Sequence, residues 1–83
     1  MNDWVEIDHY LVKTFTFSNF VNAFTFMTQV AELAEKMEHH PWWENAFHVV
    51  TIRLTTRSAG NTITEKDRLM AEKIDAIYTD MRK

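Results

Sequence analysis

The sequence contains no cysteine, a single glycine and a single proline among its 83 residues. Without cysteine, neither a disulfide nor a thiolate metal site can form. One glycine leaves no room for a glycine-rich phosphate loop, and one proline with one glycine excludes a flexible linker of the usual composition. The length allows one domain at most, so we expect residues 1–83 to fold as a single unit.

The chain also lacks an excess of basic residues and lacks long apolar runs. Its formal net charge is -3, which disfavours direct binding to nucleic acid because phosphate contacts need surplus lysine and arginine. No apolar stretch approaches the roughly 20 residues of a membrane span. The first ten residues, MNDWVEIDHY, lack the basic flank and apolar segment of a signal peptide. These absences predict a cytoplasmic protein without a membrane partner.

Apolar residues make up 46% of the chain and charged residues 25%, which is ordinary for a globular protein. A chain of this length buries only about 60% of its unfolded surface when it folds alone. Contact between copies would bury more apolar surface, so the composition favours self-association.

The first half of the chain reads as two strands and a helix. Residues 4–8 and 11–17 alternate as strands do, with Asp8 and His9 in the turn between them. Ser18 or Asn19 is a good helix N-cap, and Pro41 ends the helical segment. The spacing of apolar residues predicts a buried helical stripe of Phe20, Ala23, Phe24, Met27, Val30, Ala31, Ala34 and Met37.

The second half reads as one or two strands and a second helix. Residues 47–56 alternate strongly, and a short strand over residues 44–47 can precede them. After a polar loop, Thr64 and Asp67 have the spacing of a capping box at a helix start. The stripe of that helix is Met70, Ile74, Ile77 and Met81. The pattern predicts an α+β two-layer sandwich of order β-β-α-β-β-α, with two helices on one face of an antiparallel sheet.

Residues 35–43, EKMEHHPWW, place two histidines at the end of the first helix. A histidine cation there interacts favourably with the helix dipole, which is one sufficient explanation. A metal site would need His9 and His48 as well, because adjacent helical residues such as His39 and His40 point about 100° apart. Alternatively, the pair could perform acid–base chemistry, since histidine gives and takes protons near neutral pH.

Other residues near this segment have equally simple structural explanations. Tryptophans such as Trp42 and Trp43 most often pack in a core or at an interface. Asp67 is accounted for by helix capping, and Arg57 by a solvated position at the end of a strand. Composition and spacing alone leave the structural and catalytic interpretations open.

The order of these residues resembles the signature of the pterin-4a-carbinolamine dehydratases. The matching positions are Glu35, His39-His40-Pro41, Phe47, Arg57 and Asp67. The stretch FTFSNFVNAFTFMTQVAELAEKMEHHP is also similar, and the resemblance extends over residues 4–78. It implies a fold of two strands, a helix, two strands and a helix, and assembly as a homodimer or homotetramer.

The resemblance also implies a reaction, the loss of water from 4a-hydroxytetrahydropterin to give quinonoid dihydropterin. The pterin is then the substrate, with no separate cofactor and no metal, and the reaction recycles the cofactor of aromatic amino-acid hydroxylases. The implied catalytic residues are His39, His40 and Asp67. The implied substrate-binding residues are Glu35, Pro41, Trp42, Trp43 and Arg57.

Arg57 departs from the family pattern, because most members have a third histidine at this position. Arginine does not deprotonate at any useful pH, so it cannot replace a histidine base. The alternative interpretation is a catalytically weak or inactive member that acts as an oligomeric interaction or assembly module. Some relatives are dimerisation cofactors of a homeodomain transcription factor, and others assist the assembly of a carbon-fixing enzyme.

Overall fold

The computed structural model describes residues 3–82 as a four-stranded sheet and two long helices. The elements in chain order are β1 (Val5–Ile7), β2 (Tyr10–Thr16), α1 (Phe20–Met37), β3 (Trp42–Ala46), β4 (Val49–Leu54) and α2 (Glu65–Met81). The strands lie in the order β1-β2-β4-β3, and all neighbouring pairs are antiparallel. The predicted α+β class and the order β-β-α-β-β-α are confirmed.

Both helices cover the same face of the sheet. Leu11 pairs with Leu54 across β2 and β4, and Phe15 pairs with Val50, so apolar side chains share one face. These residues are buried together with residues of α1 and α2. The inward-facing side chains of the alternating strands therefore form one layer of the core, and the buried side chains of the helices form the other.

Two tight turns set the ends of the strands. Asp8 and His9 both have positive φ, 49° and 69°, which matches the twist of a two-residue hairpin between β1 and β2. The predicted turn is confirmed, although Asp8 belongs to it rather than to the strand. Phe47 and His48 form the β3–β4 turn, so β3 begins earlier than residues 44–47 suggested and Phe47 lies outside both strands.

Helix α1 has defined caps at both ends. The side chain of Asn19 accepts a hydrogen bond from the Asn22 backbone N–H at 2.8 Å, as expected of an N-cap. The helix ends at Met37, where Glu38 takes a left-handed conformation with φ 51°. The next N–H, that of His39, donates to the carbonyl of Ala34 at 3.0 Å. This bond fixes the backbone of His39 to the helix end, ahead of Pro41.

The buried face of α1 differs from the predicted stripe. Its buried residues are Ala23, Phe26, Val30 and Ala34. Phe20 and Phe24 are instead exposed, at 46% and 56%, and their rings stack 5.8 Å apart. Phe26 takes the inward position because its ring packs 4.9 Å from Phe15 and 5.0 Å from Phe17. Residues two positions apart on a helix point about 200° away from each other, so Phe24 faces outward when Phe26 faces inward. Ala31, which also belonged to the predicted stripe, is exposed as well.

Helix α2 follows the prediction more closely. Met70, Ala71 and Ile74 are buried, while Ile77 and Met81 pack partly buried against the core. Within residues 3–82, no helix has the length and apolar character needed to cross a membrane.

A polar contact joins β2 and the residue before β1 to α2. Lys13 lies on the core face of β2 with its side chain 11% exposed, and its Nζ is 2.9 Å from an Asp75 oxygen. The indole N–H of Trp4 donates to the same carboxylate at 3.1 Å. Because these groups neutralise and satisfy one another, a lysine is tolerated at the edge of the core.

Candidate functional site

A cavity of about 520 Å³ opens at the end of the sheet where β2 and β3 begin and β4 ends. The end of α1, the segment after β4 and the first turn of α2 complete its walls. The lining residues are Tyr10, Glu38, His39, His40, Pro41, Trp42, Arg53, Thr55, Thr56, Arg57, Ser58 and Lys66.

The most buried polar pair at this cavity is His39 with Asp67. Nε2 of His39 lies 2.5 Å from Oδ1 of Asp67, and the two residues are 8% and 0% exposed. The second carboxylate oxygen accepts from the Thr56 hydroxyl at 2.7 Å and from the Thr64 N–H at 2.8 Å. An ionised carboxylate only accepts hydrogen bonds, so the Nε2 atom of His39 carries the proton in this arrangement.

The other ring nitrogen of His39, Nδ1, has no hydrogen-bond partner among residues 3–82. His39 also contributes to the cavity wall. Because Asp67 holds Nε2–H, a neutral His39 presents Nδ1 as the nitrogen that can accept a proton or a hydrogen bond from a ligand.

Asp67 has two structural roles that involve different oxygens. Its Oδ2 atom closes the capping box at the start of α2, as predicted from the spacing of Thr64 and Asp67. Its Oδ1 atom is left for His39. Asp67 therefore lies beneath the cavity rather than in its wall, and capping does not compete with orientation of the histidine.

His40 lies at the cavity wall in a much more exposed position. Its Nε2 atom is 2.5 Å from an oxygen of Glu35, with side chains 62% and 78% exposed. Such an exposed pair contributes little to stability, and here its effect is to orient the imidazole. Glu35 itself does not line the cavity, and its side chain contacts His40, which does.

The two tryptophans lie on opposite sides of β3. Trp42 pairs with Arg53 in register, and its ring is part of the cavity wall, 5.9 Å from Tyr10 and 5.3 Å from the Arg53 guanidinium. Trp43 pairs with Ile52 and packs against the core. Alternation along the strand separates them, so Trp43, which the resemblance implied as substrate-binding, lies outside the cavity lining.

Arg57 lies in a short 3-10 turn, Arg57–Ala59, that follows β4. The strand ends at Leu54, so Arg57 is not the strand-end residue that the sequence suggested. Its side chain lines the cavity together with His39, His40 and Trp42. The guanidinium makes no ion pair or hydrogen bond within the described part of the chain.

Several cavity residues were not anticipated from the sequence: Tyr10, Glu38, Arg53, Thr55, Thr56, Ser58 and Lys66. Strand alternation put Arg53 on the face opposite Ile52, but only the β3–β4 register brings it beside Trp42. No sequence pattern indicated Thr56, because its contribution is a single hydrogen bond that its hydroxyl donates to Asp67.

The two remaining histidines lie in the hairpin turns, His9 between β1 and β2 and His48 between β3 and β4. Neither belongs to the cavity lining. Over residues 3–82, no three or more carboxylate or imidazole side chains are grouped as a metal site requires.

Comparison with known proteins places these residues in a family. The model of the family described as pterin 4 alpha carbinolamine dehydratase matches residues 1–77. A protein of Prochlorococcus marinus, named provisionally as a pterin-4-alpha-carbinolamine dehydratase, is 47% identical over 74 residues. The match covers 89% of this chain and 76% of that protein. A Bradyrhizobium protein of the same provisional name is 42% identical and covers 98% of this chain and 83% of its own.

Two solved structures share the fold. The transcriptional coactivator/pterin dehydratase from Brucella melitensis is 43% identical with a TM-score of 0.85, over 90% of this chain and 81% of that one. A pterin dehydratase-like protein described as a RuBisCO assembly factor in the alpha-carboxysome is 25% identical with a TM-score of 0.79, over 92% and 89%. By sequence and by fold, the chain belongs to the pterin 4 alpha carbinolamine dehydratase family.

Proposed function

We propose that the protein dehydrates 4a-hydroxytetrahydropterin to quinonoid dihydropterin and so takes part in recycling a pterin cofactor. The observation that carries this proposal is His39, which lines the cavity while buried Asp67 holds its Nε2 atom. Family membership supports the same reaction. The pterin is the substrate, and the proposed chemistry requires neither a metal nor a second cofactor.

The reaction needs one proton acceptor and one proton donor. A base removes the proton on N5, and the electrons of that N–H bond form the N5–C4a double bond. The C4a–O bond breaks, and the departing hydroxyl takes a proton from an acid and leaves as water. One proton is taken and one is given, so no oxidant or reductant is involved.

His39 is suited to the role of base. Its Nδ1 atom is free of protein partners among residues 3–82, and the Asp67 carboxylate stabilises the imidazolium that forms when Nδ1 takes a proton. A positioned base or acid of this kind contributes roughly 100- to 10,000-fold to a rate.

His40 is suited to the role of acid. It lines the same cavity, and the contact between Glu35 and Nε2 orients its ring. Because the ring is largely exposed, it can regain a proton from water after each turnover. Division of the two roles between a buried and an exposed histidine keeps the acid and the base distinct.

The aromatic and cationic walls complete the proposed site. Trp42 and Pro41 offer apolar surface to a flat ring beside the histidines. Arg57 cannot take a proton, but its N–H groups can donate to the pterin carbonyl or to the departing hydroxyl. A homodimer or homotetramer in the cytoplasm remains our prediction for the setting of this site.

The direct test is the rate of 4a-carbinolamine dehydration by the purified chain, compared with the spontaneous rate in the same buffer. We expect acceleration that depends on protein concentration and disappears in a His39→Gln variant. A rate equal to the spontaneous one at every protein concentration would exclude the dehydratase function.

A second candidate function is that of a protein interaction or assembly module. It is favoured by the likeness to the RuBisCO assembly factor and by exposed apolar side chains of α1, namely Phe20, Val21 and Phe24. Under this function the chain would not accelerate dehydration but would bind a partner through α1. The dehydration assay therefore separates the two candidates.

A further inference from the structure

We propose that the cavity is specific for pterins whose side chain carries an anionic group, a carboxylate or a phosphate, which Arg57 and Lys66 bind. This inference rests on the proposed pterin dehydratase function and concerns the substrate class of the same cavity. It follows from which charged side chains around the cavity form ion pairs with the protein and which do not.

Arg57 is a cation that no carboxylate of residues 3–82 pairs with. Its side chain is exposed at the cavity and forms neither an ion pair nor a hydrogen bond with residues 3–82. By contrast, Arg53 in the same cavity is held by Glu44 at 2.9 Å and lies over the ring of Trp42. Arg53 is therefore committed to the protein, whereas the guanidinium of Arg57 is available to a ligand.

Lys66 is a second weakly held cation. Its Nζ atom is 3.4 Å from the backbone carbonyl of Glu38, longer than a strong hydrogen bond, and it makes no salt bridge within the described chain. Among the described lining residues, Arg53 is paired with Glu44, and Glu38 contributes the single carboxylate against Arg57 and Lys66. The cavity thus carries surplus positive charge in a chain whose net charge is -3.

The positions of these charges match the parts of a substituted pterin. His39 is buried, whereas Arg57 and Lys66 are exposed. A pterin ring that reacts at His39 extends its side chain toward the outer part of the cavity, where the cations lie. A neutral pterin would leave both cations without a counter-charge, while a carboxylate or phosphate can accept paired N–H bonds from arginine.

The test compares the affinities of stable oxidised pterins, measured by quenching of tryptophan fluorescence. The probes are 6-hydroxymethylpterin, its phosphate ester and 6-carboxypterin, so that the neutral, phosphate and carboxylate cases are separate arms. We expect at least one anionic pterin to bind roughly tenfold more tightly than the neutral one, as a charge-assisted hydrogen bond at an exposed site allows. The preference should weaken as salt is added.

Variants locate the preference. Lys66→Gln should reduce it and leave the affinity for 6-hydroxymethylpterin unchanged. Arg57→Gln should weaken the binding of the anionic pterins more than that of 6-hydroxymethylpterin, whose carbonyl the guanidinium can also reach. Arg68→Gln is the matched control, because Arg68 pairs with Glu6 at 3.1 Å and does not line the cavity. Whichever anionic pterin binds more tightly to the wild-type protein then identifies the preferred group as carboxylate or phosphate.

Two results would overturn the inference. Equal affinities for neutral and anionic pterins would do so, as would a preference that survives both Arg57→Gln and Lys66→Gln. If a neutral carbinolamine is dehydrated normally in that case, the proposed function stands and only the substrate class is wrong. If no pterin binds and no dehydration is accelerated, both proposals fail together.

Discussion

His39 and Asp67 are 28 positions apart in the chain, yet Nε2 of the histidine and Oδ1 of the aspartate lie 2.5 Å apart in the interior. One residue follows the end of α1 and the other lies in the first turn of α2. The contact therefore forms only when the two helix ends meet. The same carboxylate caps α2, so the geometry of the cavity and the start of that helix depend on each other.

The first prediction concerns proton transfer by His39. In His39→Gln the side-chain amide can still donate to Asp67, but it cannot take a proton. The rate above the spontaneous background should fall roughly 100- to 10,000-fold. His9→Asn is the control, because the His9 side chain does not line the cavity and its positive φ is one that asparagine tolerates. Stopped-flow measurement of dehydration would show an unchanged rate in His39→Gln if His39 is not the base.

The second prediction concerns His40. Its removal in His40→Ala should take away a large share of the rate above background, because no proton donor then remains beside Glu35. The free energy of unfolding should change by less than about 1 kcal/mol, since an exposed ion pair contributes little. Parallel activity and urea-unfolding measurements test this, and full activity in the variant would contradict the role of acid.

The third prediction concerns the stability supplied by Asp67. In Asp67→Asn the new NH2 group either faces the Thr64 N–H, which can only donate, or faces His39, whose Nε2 atom must then accept and leave the ring proton on Nδ1. We expect a loss of about 1–3 kcal/mol in the free energy of unfolding, together with lower activity. Urea unfolding provides the measurement. Asp8→Asn, in an exposed turn, is the control and should be close to neutral; equal stability of the two variants would argue against a structural role of this carboxylate.

The fourth prediction concerns Arg57→His. With a neutral pterin as substrate, the variant should hold or raise kcat, because an imidazole at this position can exchange protons and arginine cannot. With an anionic pterin its KM should rise, since a permanent cation is lost. Steady-state measurements with both substrates are required. A fall in kcat for the neutral pterin would mean that Arg57 serves the chemical step itself.

The fifth prediction concerns self-association through α1. Sedimentation at micromolar concentration should show more than one chain per particle. Phe24→Gln should shift it toward the monomer, since Phe24 is 56% exposed and stacks on Phe20 at the surface. Phe47→Asn, at an exposed turn, is the control and should leave assembly unchanged. A monomeric wild-type chain, or equal effects of both variants, would contradict an interface at α1.

The sequence was sufficient for the order of elements and for both helix starts, because caps and alternation are local signals. It was not sufficient to orient α1. The segment Phe24-Thr25-Phe26 offers two helical registers with similar apolar spacing, and only the rings of Phe15 and Phe17 select Phe26 as the buried one. A preference that depends on tertiary contacts cannot be found in the helix sequence itself.

The candidate site was predictable to a similar extent. Residue order indicated His39, His40, Pro41 and Asp67, but spacing alone also explained Asp67 as a helix cap. In the structure the other oxygen of Asp67 also contacts His39. Arg53 and Thr56 were missed because their positions depend on strand register and on a single long-range hydroxyl contact.

The carboxylate of Asp75 also constrains the order in which the chain can fold. It accepts hydrogen bonds from the side chains of Lys13 and Trp4, which precede it by 62 and 71 positions. During synthesis, β1 and β2 therefore leave the ribosome long before the residue that neutralises Lys13 has been made. Contacts between residues so far apart in the sequence close large loops, so they stabilise the fold only late in folding. We expect the emerging sheet to remain incomplete, with a lysine facing its apolar side, until α2 has been released.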